Sequence, residues 1–180
     1  VRIDGYMTDI DDMKQYESYL LDVSQKDGLT HLYNKVTVEK RIEENILLHG
    51  KGTLLMLDID CFKKLNDQYG HLEGDKILKG FAAELTSVFQ NEIIGRIGGD
   101  EFIAFMPHIH VHEDVVPKLE TILYSLSRCA ETDGKADAAP ESDSAVTFSI
   151  GVSFYPDHGR DFSSLYEKAD AAMYHAKRRG

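Results

Sequence analysis

The segment Thr53 to Ile59 (TLLMLDI) constrains the fold more than any other stretch of the chain. It is a nearly continuous apolar run between Gly52 and a polar turn, which suits a central strand covered on both faces. The run closes on Asp58, Ile59 and Asp60, and alternate residues of a strand share a face, so the two carboxylates point the same way. Upstream, Lys35 to His49 reads as a helix capped by Asn34 and closed by Gly50, with Val36, Ile42 and Ile46 among its apolar positions. Downstream, Ile77, Phe81, Leu85 and Val88 recur at helical spacing from Glu73 onward and predict an amphipathic helix.

Two strands follow, Glu92 to Ile97 and Phe102 to Met106, joined through Gly98, Gly99, Asp100 and Glu101. Two glycines before a polar pair predict a tight hairpin that reaches positive φ. A helix from about Asp114 to Arg128 leads into Glu131 to Ser144, an acidic, small-residue stretch without periodicity that reads as a surface loop. The strand Val146 to Tyr155 and a final helix, with Leu165, Ala169, Ala172, Met173 and Ala176 predicted on the core face, complete the chain. At the other end, Val1 to Ile10 reads as a short strand, and Met13, Tyr16, Leu20 and Val23 mark a helix over Asp12 to Gln25. Antiparallel pairing mixed with covering helices gives an α+β sheet domain rather than a doubly wound fold.

The chain's 180 residues make about one domain. Lys and Arg total 20 against 31 for Asp and Glu, a net charge of −11, and no basic stripe tracks a nucleic-acid backbone, so nucleic acid and anionic membrane surfaces are disfavoured partners. No apolar run approaches the ~18 residues of a membrane helix, so no direct membrane contact is expected. Cys61 and Cys129 form no CxxC or Cys/His cluster, which fits a reducing compartment and makes a cytoplasmic location the default. An opening on Val1 without a signal pattern suggests a piece of a longer polypeptide, which could itself be membrane-anchored through upstream segments. Neither GxGxxG nor a Walker lysine motif occurs.

Acids thus concentrate at two element ends, Asp58 with Asp60 and Asp100 with Glu101. Packed carboxylates raise one another's pKa unless a hard divalent ion neutralises them, and oxygen-only ligands select Mg²⁺, Mn²⁺ or Ca²⁺ over zinc. Such an ion bridges acids to a phosphate in phosphoryl-transfer sites. Taken singly, each motif has an ordinary explanation: an Asx turn ending a strand for Asp58 and Asp60, a plain hairpin turn for Gly98 to Glu101.

In conjunction the motifs resemble one family over residues 27–180. RIGGDEF (Arg96 to Phe102) resembles the signature of GGDEF-domain diguanylate cyclases, bacterial signal-transduction enzymes that condense two GTP into the second messenger cyclic di-GMP. DGLTHLYNK (Asp27 to Lys35), LDIDCFKKLNDQYGHLEGDKIL (Leu57 to Leu78), VTFSIGVS (Val146 to Ser153), ADAAMYHAK (Ala169 to Lys177) and Gly180 are similar to its other elements. The resemblance implies a palm-like, nucleotidyl-cyclase-type α+β domain with a central five-stranded, mostly antiparallel sheet. It implies two Mg²⁺ or Mn²⁺ ions per active site, ligated by Asp58, the Ile59 carbonyl and Asp100. Asp100 would also assist deprotonation of the attacking 3′-hydroxyl, with Glu101 beside it. Asn66 and Asp75 would read the guanine edge, with His71 between them. Lys63 and Lys177 would bind the triphosphate, the backbone amides after Asp60 would cradle it, and Gly99 would let the chain approach it. By themselves Asn66 and Asp67 read equally as turn caps, His71 as a structural histidine and Lys177 as a solvated helix-face residue with Arg178 and Arg179.

The same resemblance implies a homodimer, because each 3′-hydroxyl must reach the other nucleotide's α-phosphate, and it gives the helix Asp12 to Gln25 the task of pairing two domains. Residues 1–26 are read as the end of an upstream sensor plus this linker helix, Val1 to Lys14 being similar to the last strand and exit of PAS domains. Asp27, Leu29, Thr30, Leu32 and Asn34 are assigned to the junction. A product-inhibition site of the form Arg-x-x-Asp, common in the family, is replaced here by Phe89, Gln90, Asn91 and Glu92. The competing reading is a catalytically silent GTP or cyclic di-GMP binding module, which the retained Asp58, Asp100 and Glu101 disfavour. Asp75 disfavours mixed purine specificity.

Overall fold

The computed structural model describes residues 4–109, 111–131 and 146–179. Its elements run α1 (Asp4–Gln25), β1 (Tyr33–Asn34), α2 (Lys35–His49), β2 (Gly52–Ile59), α3 (Phe62–Tyr69) and α4 (His71–Val88). They continue with β3 (Ile93–Arg96), β4 (Glu101–Met106), α5 (His112–Glu131), β5 (Phe148–Tyr155) and α6 (Phe162–Arg179). The sheet has five strands in the order β1-β3-β4-β2-β5. Only β1 and β3 pair in parallel, the other neighbours being antiparallel, so the expected mixed α+β sheet is the one observed.

All eight residues of β2 are buried, as its apolar run requires. Alternation divides them between two cores. Leu55, Leu57 and Ile59 join Leu78, Phe81 and Leu85 of α4 and Val115 and Ile122 of α5 on one face. Leu54 and Met56 join Val38, Ile42 and Ile46 of α2 and Leu165, Ala169 and Met173 of α6 on the other. Asp58, two residues beyond Met56, therefore faces α6.

Several expectations need correction. Asp4 to Ile10 continues α1 rather than forming a strand, because Ile10 falls in helical phase with Met13 and Leu20; Val1 to Ile3 lie outside the described residues. The segment after Asp60 forms the helix α3, whose single buried residue, Phe62, left too weak an apolar signal to read. On α2, Val36 is exposed and Val38 takes the core position. Ala176 is exposed, since the end of α6 runs past the core. Strand β5 begins at Phe148, two residues later than expected. Gly98 and Gly99 are not among the positive-φ residues. The turn closes instead through the Ile97 N–H donating to the Glu101 carbonyl at 3.0 Å, and a Cβ on Gly98 would come 2.9 Å from Glu101 Oε2. The predicted acidic loop falls, apart from Glu131, outside the described residues.

Candidate functional site

Register brings the acids together. Asp58 stands opposite Glu101 of β4 and Ser149 of β5, and the Ile59 N–H donates to the Asp100 carbonyl at 3.4 Å. Asp60, just past the strand, accepts the Ser149 hydroxyl at 2.7 Å on the same face. The expected sharing of one face by Asp58 and Asp60 is thus realised.

Helix α6 supplies the cation. Gly151 has no Cβ, and one added there would collide with the Ala169 carbonyl and crowd Met173. Next to it the Ser153 hydroxyl donates to the Leu165 carbonyl at 2.8 Å. These small residues let α6 lie close on β5, and its last turn carries Lys177 Nζ to 2.6 Å from Asp58 Oδ1. Burial nonetheless pushes the Asp58 carboxyl above the usual aspartate range, Lys177 opposing the shift and the charges of Asp100 and Asp60 adding to it. Glu101 is raised by burial and by Asp58 and Asp100, with Lys177 opposing and Asp170 adding. The Tyr166 phenol is raised by burial and by Glu101 and Asp170. Asp170 and Tyr166, both on α6, are members of this cluster that sequence reasoning did not single out. Their signal was the helical spacing that places them on the side of α6 bearing Lys177.

Arg96 is a second omission. Its Nε and Nη2 donate to the Gly99 carbonyl at 3.1 and 2.7 Å, and its Nη1 pairs with Asp27 Oδ1 at 3.0 Å. One guanidinium thus fixes the hairpin tip to Asp27, two residues past the end of α1. Asp27 also accepts the Thr30 amide and hydroxyl at 2.9 and 2.7 Å. Burial pulls its carboxyl up, but the Thr30 and Arg96 bonds outweigh that and hold it below the usual range. The adjacent Asn34 Nδ2 donates to the Ser24 carbonyl at 2.7 Å. Asp27, Thr30 and Asn34 therefore do fix the junction.

The remaining candidates lie on α3 and α4. Lys63 and His71 are exposed, and Asn66 and Asp75 are half-buried. Asn66 Oδ1 is buried with no hydrogen-bond partner, pressed against Gly74, where an added Cβ would strike it. An unpaired buried carbonyl is costly, and this oxygen has acceptor capacity that the described residues leave unused. At the start of α3 the first helical bond runs from the Leu65 N–H to the Cys61 carbonyl, and no side chain caps the helix. The amides of Phe62, Lys63 and Lys64 are left without helical partners, and Gly99 in the hairpin has open space around it.

At the position of the expected product site, Phe89 is fully buried in the core, and Glu92 Oε1 pairs with Lys118 Nζ at 3.0 Å. Neither presents a free cation. Among the described residues no three His, Cys, Asp or Glu side chains stand in an arrangement that would hold a metal ion as they are. The acid end nevertheless offers carboxylate and carbonyl oxygens, hard donors that fit Mg²⁺ or Mn²⁺ in chemistry, with Lys177 as the cation that pairs with Asp58 in this structure.

A family model described as "Diguanylate cyclase, GGDEF domain" matches residues 24–180. The chain belongs to the GGDEF family. This GGDEF domain is 35% identical to the diguanylate cyclase DgcP of Pseudomonas aeruginosa, over 94% of the chain and 25% of that protein. It is 28% identical to the cyclic di-GMP phosphodiesterase PdeR of Escherichia coli, over 96% of the chain and 25% of that protein. The chain spans about a quarter of the length of these curated relatives. Among solved structures, the coiled coil and GGDEF domain of DgcB from Caulobacter crescentus, in complex with c-di-GMP, superposes with a TM-score of 0.83. Identity there is 25%, covering 99% of this chain and 94% of that one. Among the described residues no helix is long and apolar enough to cross a membrane.

Proposed function

We propose that this GGDEF domain is a diguanylate cyclase that joins two GTP molecules into cyclic di-GMP. The observation that carries the reading is the convergence of Asp58, Asp100 and Glu101 at one end of the sheet, opposed by Lys177. In each half-reaction a 3′-oxygen forms a bond to the other nucleotide's α-phosphorus, the bond to pyrophosphate breaks, and the hydroxyl proton passes to Asp100. Mg²⁺ or Mn²⁺, two per site, would be held by Asp58, the Ile59 carbonyl and Asp100 and would supply neutralisation of charge at the α-phosphate and on pyrophosphate. Lys63, Lys177 and the free amides at the start of α3 bind the triphosphate, while Asn66 and Asp75 accept from the guanine N–H groups beside His71. Gly99 gives the nucleotide its close approach.

Antiparallel attack demands two copies face to face. Helix α1 supports such a homodimer, since Met13, Tyr16, Tyr19, Leu20, Leu21 and Val23 are all exposed on it. Residues 1–26 join the domain at 27–180 to an upstream sensor in this reading, and the Arg96 bridge from Asp27 to Gly99 carries the position of α1 to the hairpin. A cytoplasmic location follows from the supply of GTP. Phe89 stands in the core where the Arg-x-x-Asp fork would begin, so inhibition by cyclic di-GMP through Phe89 to Glu92 is weak or absent.

The second reading, a silent GTP or cyclic di-GMP binding module, is favoured by one observation, the pairing of Lys177 with Asp58. Incubation of the dimeric protein with GTP and Mg²⁺ or Mn²⁺, followed by nucleotide chromatography, separates the two. Cyclic di-GMP with pyrophosphate supports catalysis, and their absence establishes the silent module. Full turnover by Asp100→Ala would overturn the assignment of the site.

A further inference from the structure

At the opposite end of the sheet from the acids, two imidazoles meet. His49 closes α2 and His108 follows β4; their ring centroids are 4.6 Å apart with planes inclined at 72°. His49 is half-buried and His108 exposed. Among the described residues neither ring has a hydrogen-bond partner. The loop that carries His108 is anchored, because the buried Thr53 hydroxyl donates to the Ile109 carbonyl at 2.6 Å. In the sequence His108 opens the run His108, Ile109, His110, Val111, His112, with imidazoles at every second residue.

We propose that His49 and His108 form a two-imidazole site for a first-row transition metal of the Zn²⁺ or Cu²⁺ class. Two imidazoles bound to one ion by metal–nitrogen bonds of about 2.0–2.1 Å place their ring centroids roughly 4.5 Å apart at a right-angled nitrogen–metal–nitrogen angle and roughly 5.2 Å apart at a tetrahedral one. The observed 4.6 Å lies within that range, at its right-angled end. Neutral imidazole selects Zn²⁺, Cu²⁺ or Ni²⁺ and discriminates against Mg²⁺, the reverse of an all-carboxylate site. No third metal-ligating side chain converges on the pair among the described residues, so solvent completes the coordination. Thr53 and Asp58 stand at opposite ends of β2, roughly 17 Å apart at a rise of about 3.3 Å per residue. The two sites are therefore separate in space as well as in ligand chemistry. Bound metal ties the end of α2 to the turn between β4 and α5.

Calorimetric titration of the metal-stripped domain with ZnCl₂, in saturating MgCl₂ and without nucleotide, tests the site. One Zn²⁺ per chain is expected, with His49→Ala and His108→Ala each weakening it at least roughly tenfold and Asp58→Asn leaving it unchanged. Copper added in place of zinc should show coupling to two nitrogens in its electron paramagnetic resonance spectrum. No binding to the wild type, binding indifferent to both histidine variants, or binding lost in Asp58→Asn would each overturn the proposal. Circular dichroism of the variants, altered at side chains outside the core, confirms that they are folded. Since no nucleotide is present, the outcome is independent of whether the domain is a cyclase.

Discussion

Strand β2 is the same buried ribbon from end to end, yet its two ends are finished differently. At its entry α2 is closed on itself: Asn34 Oδ1 accepts the Thr37 amide at 3.0 Å, and Gly50, at φ +65°, returns its N–H to the Ile46 carbonyl at 3.0 Å. Thr53 then satisfies the Ile109 carbonyl. At its exit a buried acid is followed by Cys61 at φ +56° and by α3 without a side-chain cap, and Asn66 Oδ1 is left without a partner. Polar groups are thus closed by the chain itself at the entry and left partly open at the exit, the end at which the proposed reaction would take place.

Substitutions at the two ends should separate stability from activity. The largest effect is expected at the exit, where Asp58→Asn removes an anionic ligand and should lower cyclic di-GMP formation by about a thousandfold, some 4 kcal/mol at the transition state. Chromatography of the GTP reaction reads it, and a loss below tenfold would take Asp58 out of the chemistry. At the entry, Thr53→Val orphans the half-buried Ile109 carbonyl and should cost about 1 kcal/mol of stability in urea unfolding, with turnover per folded molecule unchanged. Parallel loss of kcat would mean that the two ends are not separable.

Gly74→Ala pushes a Cβ onto Asn66 Oδ1 and should raise KM for GTP by about tenfold while kcat changes little; an unaltered KM would release Asn66 from guanine reading. The smallest effect is at Cys61, where Cys61→Gly relieves a left-handed residue and should stabilise by about 0.5–1 kcal/mol in the same urea assay. A destabilised variant would show that the Cys61 side chain contributes more than its backbone strain costs.

Acidity distinguishes the exit from the junction as well. Asp58 and Glu101 have folded pKa values above their unfolded ones, so they destabilise the metal-free domain when ionised, and that penalty is relieved as pH falls through the raised values. Asp27 is lowered instead; its stabilisation is present above the ordinary aspartate range and is lost as pH falls through the lowered value. The urea midpoint should therefore rise on first acidification and fall on further acidification. A monotonic fall would contradict the raised acids.

Much of this was legible before any coordinates. The apolar run of β2 allowed only a central strand, the spacing of α4 only a helix, and Asn34 and Gly50 bracketed α2 correctly because capping is chemistry local to a few residues. The RIGGDEF run and the acids of β2 marked the site. Reading failed where the signal was not local. Asp4 to Ile10 looked like a strand by composition but follows the helical phase of the residues after it, and α3 buries too little to show a period. The hairpin glycines looked as though they needed positive φ, but contacts of Glu101 and Arg96 set that turn.

The sequence by itself determined the central buried strand and the amphipathic helix α4, where α2 begins and ends, and which side chains are available for metal and phosphate chemistry. Only the tertiary structure decided their pairings. Lys177 meets Asp58 because Gly151 and Ser153 let α6 settle on β5, Arg96 joins Asp27 to Gly99 across the β1–β3 edge, and His49 meets His108 where β2 begins. Each pairing joins residues far apart in the chain through sheet register and close helix packing, and none of the three is written in the composition or periodicity of a single segment.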